Sequence, residues 1–317
     1  MSDTTLLGQG DELDELLAGA RALRLPHAIL IEGAPGCGKT TLARQLIFAL
    51  LDDGTRSDAL VKQIQADTHP DVHWLRVPEG KQDIPIDAVR ELQSQLALAA
   101  FTARARVAIV DPAERLNAQG QNALLKTLEE PGANSFLLLP TARPEAMLPT
   151  VRSRVARYRL RELSPELIAR TLVAAHPGED PTRLRRLADL ADGSLGVAQQ
   201  LVDQAELIEI HARLQQALQH GVEDPHGLLA ECISGVKGRE DVDQRARLVL
   251  RMLRLELRAH LRRAVAPDGG GAYVAPALDG WIASCERVFD SESDLNLHVG
   301  ADQILAGLFL SWSARSA

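Results

Sequence analysis

Hydrophobic positions along the first half of the chain come in short, nearly continuous runs separated by segments of helical spacing. The runs Ala28–Glu32, His73–Val77, Val107–Asp111, Phe136–Pro140 and Ala156–Leu160 read as strands. The first, third and fourth are almost wholly apolar, as strands covered on both faces are. Between them, Thr40–Leu51, Ile86–Ala100 and Gln119–Glu130 repeat apolar residues at helical spacing, the last ending at Pro131. Alternation of this kind predicts an α/β domain with a parallel sheet. The pattern changes after Leu163. Ser164-Pro165-Glu166 is a helix start, a Ser cap followed by Pro in the first turn, and from there onward the chain reads as helix. A short helical unit runs to about Val202. A longer block follows, with a helix over about Asp241–Val265, a loop at Pro267–Gly271 and a closing helix near Asn296–Ser313. In the Asp241–Val265 helix Leu248, Met252 and Leu255 form one stripe, flanked by Val249, Leu253, Leu257 and Leu261. Arg247, Arg251, Arg254 and Arg258 lie between, a basic face read as solvated and salted with Glu256. The expected boundaries are a core over 1–163, a small helical domain over 164–204 and an all-α domain over 205–317.

Composition narrows the function without naming it. The 317 residues include 35 basic and 43 acidic side chains, a net charge of −8, which argues against coating nucleic acid by bulk charge. Aromatics make up 3%, too few for base-stacking platforms. Cys37, Cys232 and Cys285 are far apart, without a Cys-x-x-Cys, so neither a disulfide framework nor a thiolate metal site is expected. No apolar run approaches the roughly 20 residues of a membrane span, and Met1–Thr5 has no basic leader region. A reduced, cytoplasmic setting without membrane contact is the expectation.

The candidate chemistry starts at Gly33-Ala-Pro-Gly-Cys-Gly38-Lys39-Thr40, a full G-x-x-x-x-G-K-[ST] match between a strand and a helix. Such a loop turns backbone N–H groups inward around phosphate, with the helix N-terminus adding positive potential. Gly33, Pro35, Gly36, Gly38, Lys39, Thr40 and Thr41 are the nucleotide-binding candidates. Lys39 would reach the terminal phosphates, and Thr40 with Asp111, at the end of the Val107–Val110 run, would hold Mg²⁺ for ATP or ADP. Cys37 inside the loop reads as a small packing residue. The residue after Asp111 is Pro112, which cannot polarise water, and a turn there would aim Glu114 elsewhere. Losing a positioned base costs ~10²–10⁴ in rate, so the chain is expected to bind ATP yet hydrolyse it weakly or not at all. His69 and His73 read as structural, and no zinc is expected.

Several strings carry a resemblance: Leu6-Leu-Gly-Gln9, His27–Thr40, Thr68-His-Pro-Asp71, Ile86-Asp-Ala-Val-Arg90, Asn122–Pro131 and Arg152-Ser153-Arg154, with Leu295-Asn-Leu-His298 weaker. By these the chain resembles the bacterial clamp-loader AAA+ proteins of DNA polymerase III, and within them the delta-prime type. The resemblance implies an AAA+ core, a helical lid and a helical collar. It also implies a pentameric ring shared with gamma/tau-type motor subunits and a delta subunit, acting on a sliding clamp and, through the complex, on primer–template DNA. Membership would place the chain in a nucleotidyltransferase holoenzyme. A delta-prime-type subunit is stator-like: its Ser-Arg motif, here Ser153 and Arg154, offers an arginine finger to the ATP of the adjacent motor, a contribution of ~10³–10⁵ where fingers operate in trans. Val155 stands where the family has Cys, a packing position. Thr141 matches the sensor-one position; the sensor-two arginine of the motors would fall at Gly196. Relatives often carry a four-cysteine zinc module where Asp52–Asp67 has no cysteine. The family lines the ring interior near DNA with the Asn122–Glu130 helix; Leu124, Leu125 and Leu128 should face inward, and Lys126, Glu129 and Glu130 outward. Arg157, Arg159 and Arg161 read as the wet face of an edge strand. A gamma/tau-type motor remains the alternative, with a stand-alone phosphate-loop enzyme behind it. A motor would carry a Glu after Asp111, an Arg at position 196, the zinc cysteines and often a long C-terminal extension.

Overall fold

A computed structural model describes residues 6, 8–54, 57–78, 81, 83–204, 206–236, 238–265, 275–296 and 300–313. The Pro267–Gly271 loop and parts of the Leu6–Gln9 and Leu295–His298 strings lie outside the described residues. The chain divides into two compact units, Met1–Gln199 and Gln200–Ala317.

In the first unit the order is α1 (Asp11–Arg21), β1 (Ala28–Glu32), α2 (Lys39–Leu51), α3 (Asp58–Gln65), β2 (Val72–Leu75), α4 (Ile86–Leu96), β3 (Arg106–Val110), α5 (Ala118–Glu129), β4 (Ser135–Thr141), α6 (Pro149–Arg152), β5 (Ala156–Arg159), α7 (Pro165–Ala175), α8 (Pro181–Leu190) and α9 (Leu195–Asp203), whose end reaches into the second unit. The five strands are all parallel, in the order β2-β3-β4-β1-β5. Successive strand residues point to opposite faces, and both faces are covered. Ile29, Ile31, Val107, Ile109 and Leu138 pack with Leu42, Leu46 and Leu50 of α2 and Leu13 of α1. Ala28, Leu30, Ala108, Val110 and Leu139 pack with Val89 and Leu92 of α4 and Leu124 and Leu128 of α5. This two-sided burial is the reason the central strands carry unbroken apolar runs. On β5, at the edge, Arg157 and Arg159 are exposed and Tyr158 is half-buried, the alternation expected of one wet face.

Local signals set several ends. Ser164 accepts the Leu167 N–H at 3.3 Å ahead of Pro165, as its sequence predicts. Asn117 caps α5 by accepting the Gly120 N–H at 2.8 Å. Two expectations are corrected. The helix read over Ile86–Ala100 stops at Leu96, because the chain beyond it turns toward Asp71. Strand β3 begins one residue early, at Arg106, which is buried rather than outside the strand.

Asp71 explains both. Its fully buried carboxylate accepts the backbone N–H groups of Phe101, Thr102 and Ala103 at 2.6, 2.8 and 2.9 Å and the Thr102 hydroxyl at 3.0 Å. Arg106 reaches it at 3.2 Å, while its other terminal nitrogen donates to Gln95 O at 2.8 Å. The same Thr-His-Pro-Asp string turns His69 inward, where its Nδ1 accepts the Asp71 N–H at 3.1 Å; burial lowers the pKa of His69 and of His73.

The second unit holds α10 (Glu206–His220), α11 (Pro225–Ile233), α12 (Arg239–Val265), α13 (Ala275–Asn296) and α14 (Ala301–Ser313). The 27-residue α12 packs along α13 and also meets α10, α11 and α14. Its Leu248, Val249, Met252, Leu253 and Leu257 are buried, as the periodicity indicates. The solvated basic face does not hold as read. Arg247 and Arg258 are exposed, but Arg251 is buried and Arg254 half-buried, and the adjacent Arg245, also buried, donates to Glu206 at 2.7 Å. Glu256 does not salt a wet face either: its Oε1 pairs with His211 and Gln215 of α10, each at 2.9 Å. The closing helix starts at Ala301, and α13 answers to no segment of the sequence reading.

Burial pushes the Asp71 carboxyl up, but its N–H and hydroxyl donors outweigh this and hold it at about 2, below its ordinary 3.8. A folded pKa below the unfolded one stabilises fully above the unfolded value. The ~2–3 kcal/mol involved is lost as pH falls from about 4 toward 2. Asp71→Ala, which also strands the buried Arg106 charge, should lower stability by ~3–5 kcal/mol in urea unfolding; a loss below ~1 kcal/mol would show that the cage is incidental.

Candidate nucleotide site and exposed arginine turn

A parallel sheet places every strand C-terminus along one edge, and the candidate residues gather there. Gly33 follows β1, and its N–H donates to Thr141 O of the adjacent β4 at 3.3 Å. Gly38, in the left-handed region at φ 99°, lets the loop turn into α2. Lys39 Nζ donates to the Gly33 and Ala34 carbonyls, both at 2.8 Å, so its charge closes over its own loop. Thr40 Oγ1 donates to Asp111 Oδ2 at 2.8 Å, bringing hydroxyl and carboxylate together from two elements. Burial raises the Asp111 pKa against the lowering effect of Thr40 and Lys39. Two converging oxygen donors suit a hard divalent cation, so the residues present fit Mg²⁺. Thr41 is half-buried one position further along α2. Cys37 is buried and burial raises its thiol pKa; a Cβ at Gly33 would stand 2.6 Å from its sulfur, which agrees with a filling role.

The polar groups around Asp111 are engaged within the chain, and the Asp111–Pro112 bond is cis. Both Glu114 carboxylate oxygens accept the Ala142 N–H, at 3.2 and 3.3 Å. Thr141 is fully buried, and its Oγ1 accepts the Arg143 N–H at 3.1 Å. The start of α9 lies against the loop. Ser194, fully buried, caps Val197 at 3.2 Å, and a Cβ on Gly196 would stand 3.4 Å from Gly36 O. A Cβ at the sensor-two position would thus make an ordinary contact with the loop.

Ser153 and Arg154 stand apart from this cluster, exposed on the turn after α6. Arg154 Nη1 donates to Thr150 O at 3.1 Å and to Ser153 Oγ at 3.3 Å, and Ser153 Oγ donates to Thr150 O at 3.1 Å. Its Nε and Nη2 meet Glu129 Oε1 at 3.0 and 2.9 Å. Val155, half-buried, packs against the core cluster below, as a packing position should. On α5, Leu124 and Leu128 are buried, Leu125 is half-buried, and Lys126, Glu129 and Glu130 are exposed.

Two residues went unread in the sequence. Glu129 faces outward as expected, and its pairing with Arg154 is what the sequence does not show. Gln121 is buried and joins three segments: its Nε2 donates to Leu116 O at 2.9 Å and Ala146 O at 3.1 Å, and its Oε1 accepts the Leu148 N–H at 2.6 Å. A signal existed, since Gln121 lies on the Leu124/Leu128 stripe, where a polar side chain demands partners.

The sheet order, phosphate loop and facing carboxylate define an AAA+ phosphate-loop protein. A DNA polymerase III gamma-subunit-related protein from Thermotoga maritima has the same fold, with a TM-score of 0.53 at 18% identity over 97% of this chain and 100% of its own. A family model described as "DNA polymerase III, delta subunit" matches residues 8–164. The delta-prime subunit of Escherichia coli K12 DNA polymerase III is 35% identical over 227 residues, 69% of this chain and 67% of that one. The tau subunit from Salmonella typhimurium LT2 is 32% identical over 212 residues, 63% of this chain and 32% of its own length. The chain belongs to the delta-prime family of DNA polymerase III clamp-loader subunits. Among the described residues, no helix is long and apolar enough to cross a membrane.

Gly36 has a φ of 76°, and a Cβ there would run into Ser194 Oγ. Gly36→Ala should therefore cost ~1–2 kcal/mol, read as a lower unfolding midpoint; an unchanged midpoint would mean that α9 does not rest on the loop in solution.

Proposed function

We propose that this chain is the stator-like member of its clamp loader: it lends Arg154 to the ATP site of an adjacent gamma/tau-type motor and contributes little hydrolysis of its own. The observation that carries the reading is the exposed, braced Arg154 in a chain whose own site has no free base, Glu114 being tied to Ala142. A guanidinium supplied across an interface stabilises charge spreading over a transferring phosphoryl group. The reading includes the three-part division into core 1–163, lid 164–204 and collar 205–317. It also includes the pentameric ring with motors and a delta subunit, a sliding clamp as the cargo, and primer–template DNA reached through the complex.

In the chain's own site, Gly33–Thr41 would cradle the phosphates of ATP or ADP, with Lys39 exchanging its loop carbonyls for phosphate oxygens. Thr40 and Asp111 would hold Mg²⁺, which supplies charge neutralisation when bound. The motor alternative loses support at the same place, where Pro112 follows Asp111 and Gly196 takes the sensor-two position.

Two measurements test the reading. In the reconstituted loader, Arg154→Ala should lower clamp- and DNA-stimulated ATPase tenfold or more while the complex stays assembled on a sizing column. An unchanged rate in an intact complex removes the finger assignment. The isolated chain should bind Mg·ATP or ADP weakly to moderately and lose that binding in Lys39→Ala. Brisk hydrolysis by the pure chain would overturn the stator reading, and binding indifferent to Lys39→Ala would show the loop to be vestigial.

A further inference from the structure

The turn that carries Arg154 leaves the guanidinium little rotamer freedom. Nη1 is engaged by Thr150 O and Ser153 Oγ. Nε and Nη2 converge on Glu129 Oε1. Of the five N–H groups an arginine carries, this arrangement leaves one Nη2 N–H to donate elsewhere. Glu129 is the last residue of α5. Lys126 and Glu130, exposed on the same helix end, take no part in the pair. The Glu129 and Arg154 side chains are 52% and 40% exposed, and ion pairs this wet add little to folding. Glu129 therefore does more to Arg154 than it does for the fold.

We infer that Glu129 is a positioning residue for the arginine finger: it holds the Arg154 guanidinium in one place on the α5–α6 surface before the neighbouring nucleotide arrives. This rests on the trans-finger reading above. A finger acts by being in place as charge develops. A free arginine side chain is spread over many rotamers and must be ordered when it meets phosphate. With Nη1 held from the α6 turn and Nε from α5, part of that ordering is in place in the unpartnered subunit. Ser153 acts in the same bracing, as the hydroxyl that accepts from Nη1 while donating to Thr150 O. This accounts for the serine of the Ser-Arg pair.

The test uses the reconstituted loader and its stimulated ATPase, with assembly checked by sizing chromatography. Glu129→Ala should lower kcat by at least about threefold and by less than the ~thirtyfold that releasing an arginine to its full rotamer freedom would allow, because Thr150 O and Ser153 Oγ still hold Nη1, with KM for ATP unchanged. Glu129→Gln, whose amide oxygen still accepts from the guanidinium, should recover most of that loss. In an Arg154→Ala background, Glu129→Ala should lower the rate no further. A Glu129→Ala loader at or above the wild-type rate, beside an Arg154→Ala loader at least tenfold slower, would overturn the positioning role and leave the finger standing. An equal loss from Glu129→Ala with and without Arg154 would also overturn it, by showing that Glu129 acts elsewhere. If Arg154→Ala itself leaves an intact complex unchanged, the finger reading falls first and this inference with it.

Discussion

Two-sided burial of a parallel sheet is the constraint from which the first unit follows. Each crossover must be long enough to return the chain to the far end, and each is helical because both faces need apolar cover. All strand C-termini then share one edge. The loop after β1, Asp111 after β3 and Thr141 at the end of β4 meet there although more than seventy residues separate the first from the second. No side chain has to reach far: Thr40 touches Asp111 because β1 and β3 flank β4. The chemistry is local to that edge, and the sheet is the device that makes it local.

Along that edge the residues that match the phosphate-holding parts of an AAA+ site lie together, and the polar groups beside them are engaged within the chain. Glu114 is used to fasten Ala142, and Thr141 accepts a backbone N–H. Arginine is engaged as well. On β5, Arg157 pairs with the buried Glu32; in α12, Arg245 and Arg251 are buried; on the α6 turn, Arg154 is held where solvent can reach it. One residue type serves three purposes, and burial and partners distinguish them.

The fold was legible where periodicity and burial coincide. The strand runs Ala28–Glu32 and Phe136–Pro140 are apolar for a reason visible in the residues themselves, and the phosphate loop declares its own turn through its glycines. Legibility failed where a distant partner decides. Helix α4 ends at Leu96 because Asp71, some thirty residues away, captures the N–H groups beyond it. Of the four α12 arginines that look like a wet face in one dimension, Arg247 and Arg258 stay exposed while Arg251 and Arg254 turn inward among the neighbouring helices. At the candidate site, Lys39, Thr40 and Asp111 could be named from spacing alone. Glu129 could not, since its importance lies in a contact across twenty-five residues.

The fastening of Glu114 to Ala142 has a consequence for what a nucleotide would be to this molecule. On the proposed reading that the chain hydrolyses little, a nucleotide bound between Lys39, Thr40 and Asp111 would persist and behave as a part of the fold. Its effect would be that of any ligand favouring the native state, growing with the logarithm of its concentration over its dissociation constant. The site would then act as a fastener whose grip follows the adenylate supply, tightening the seat on which the arginine turn is mounted instead of driving a cycle.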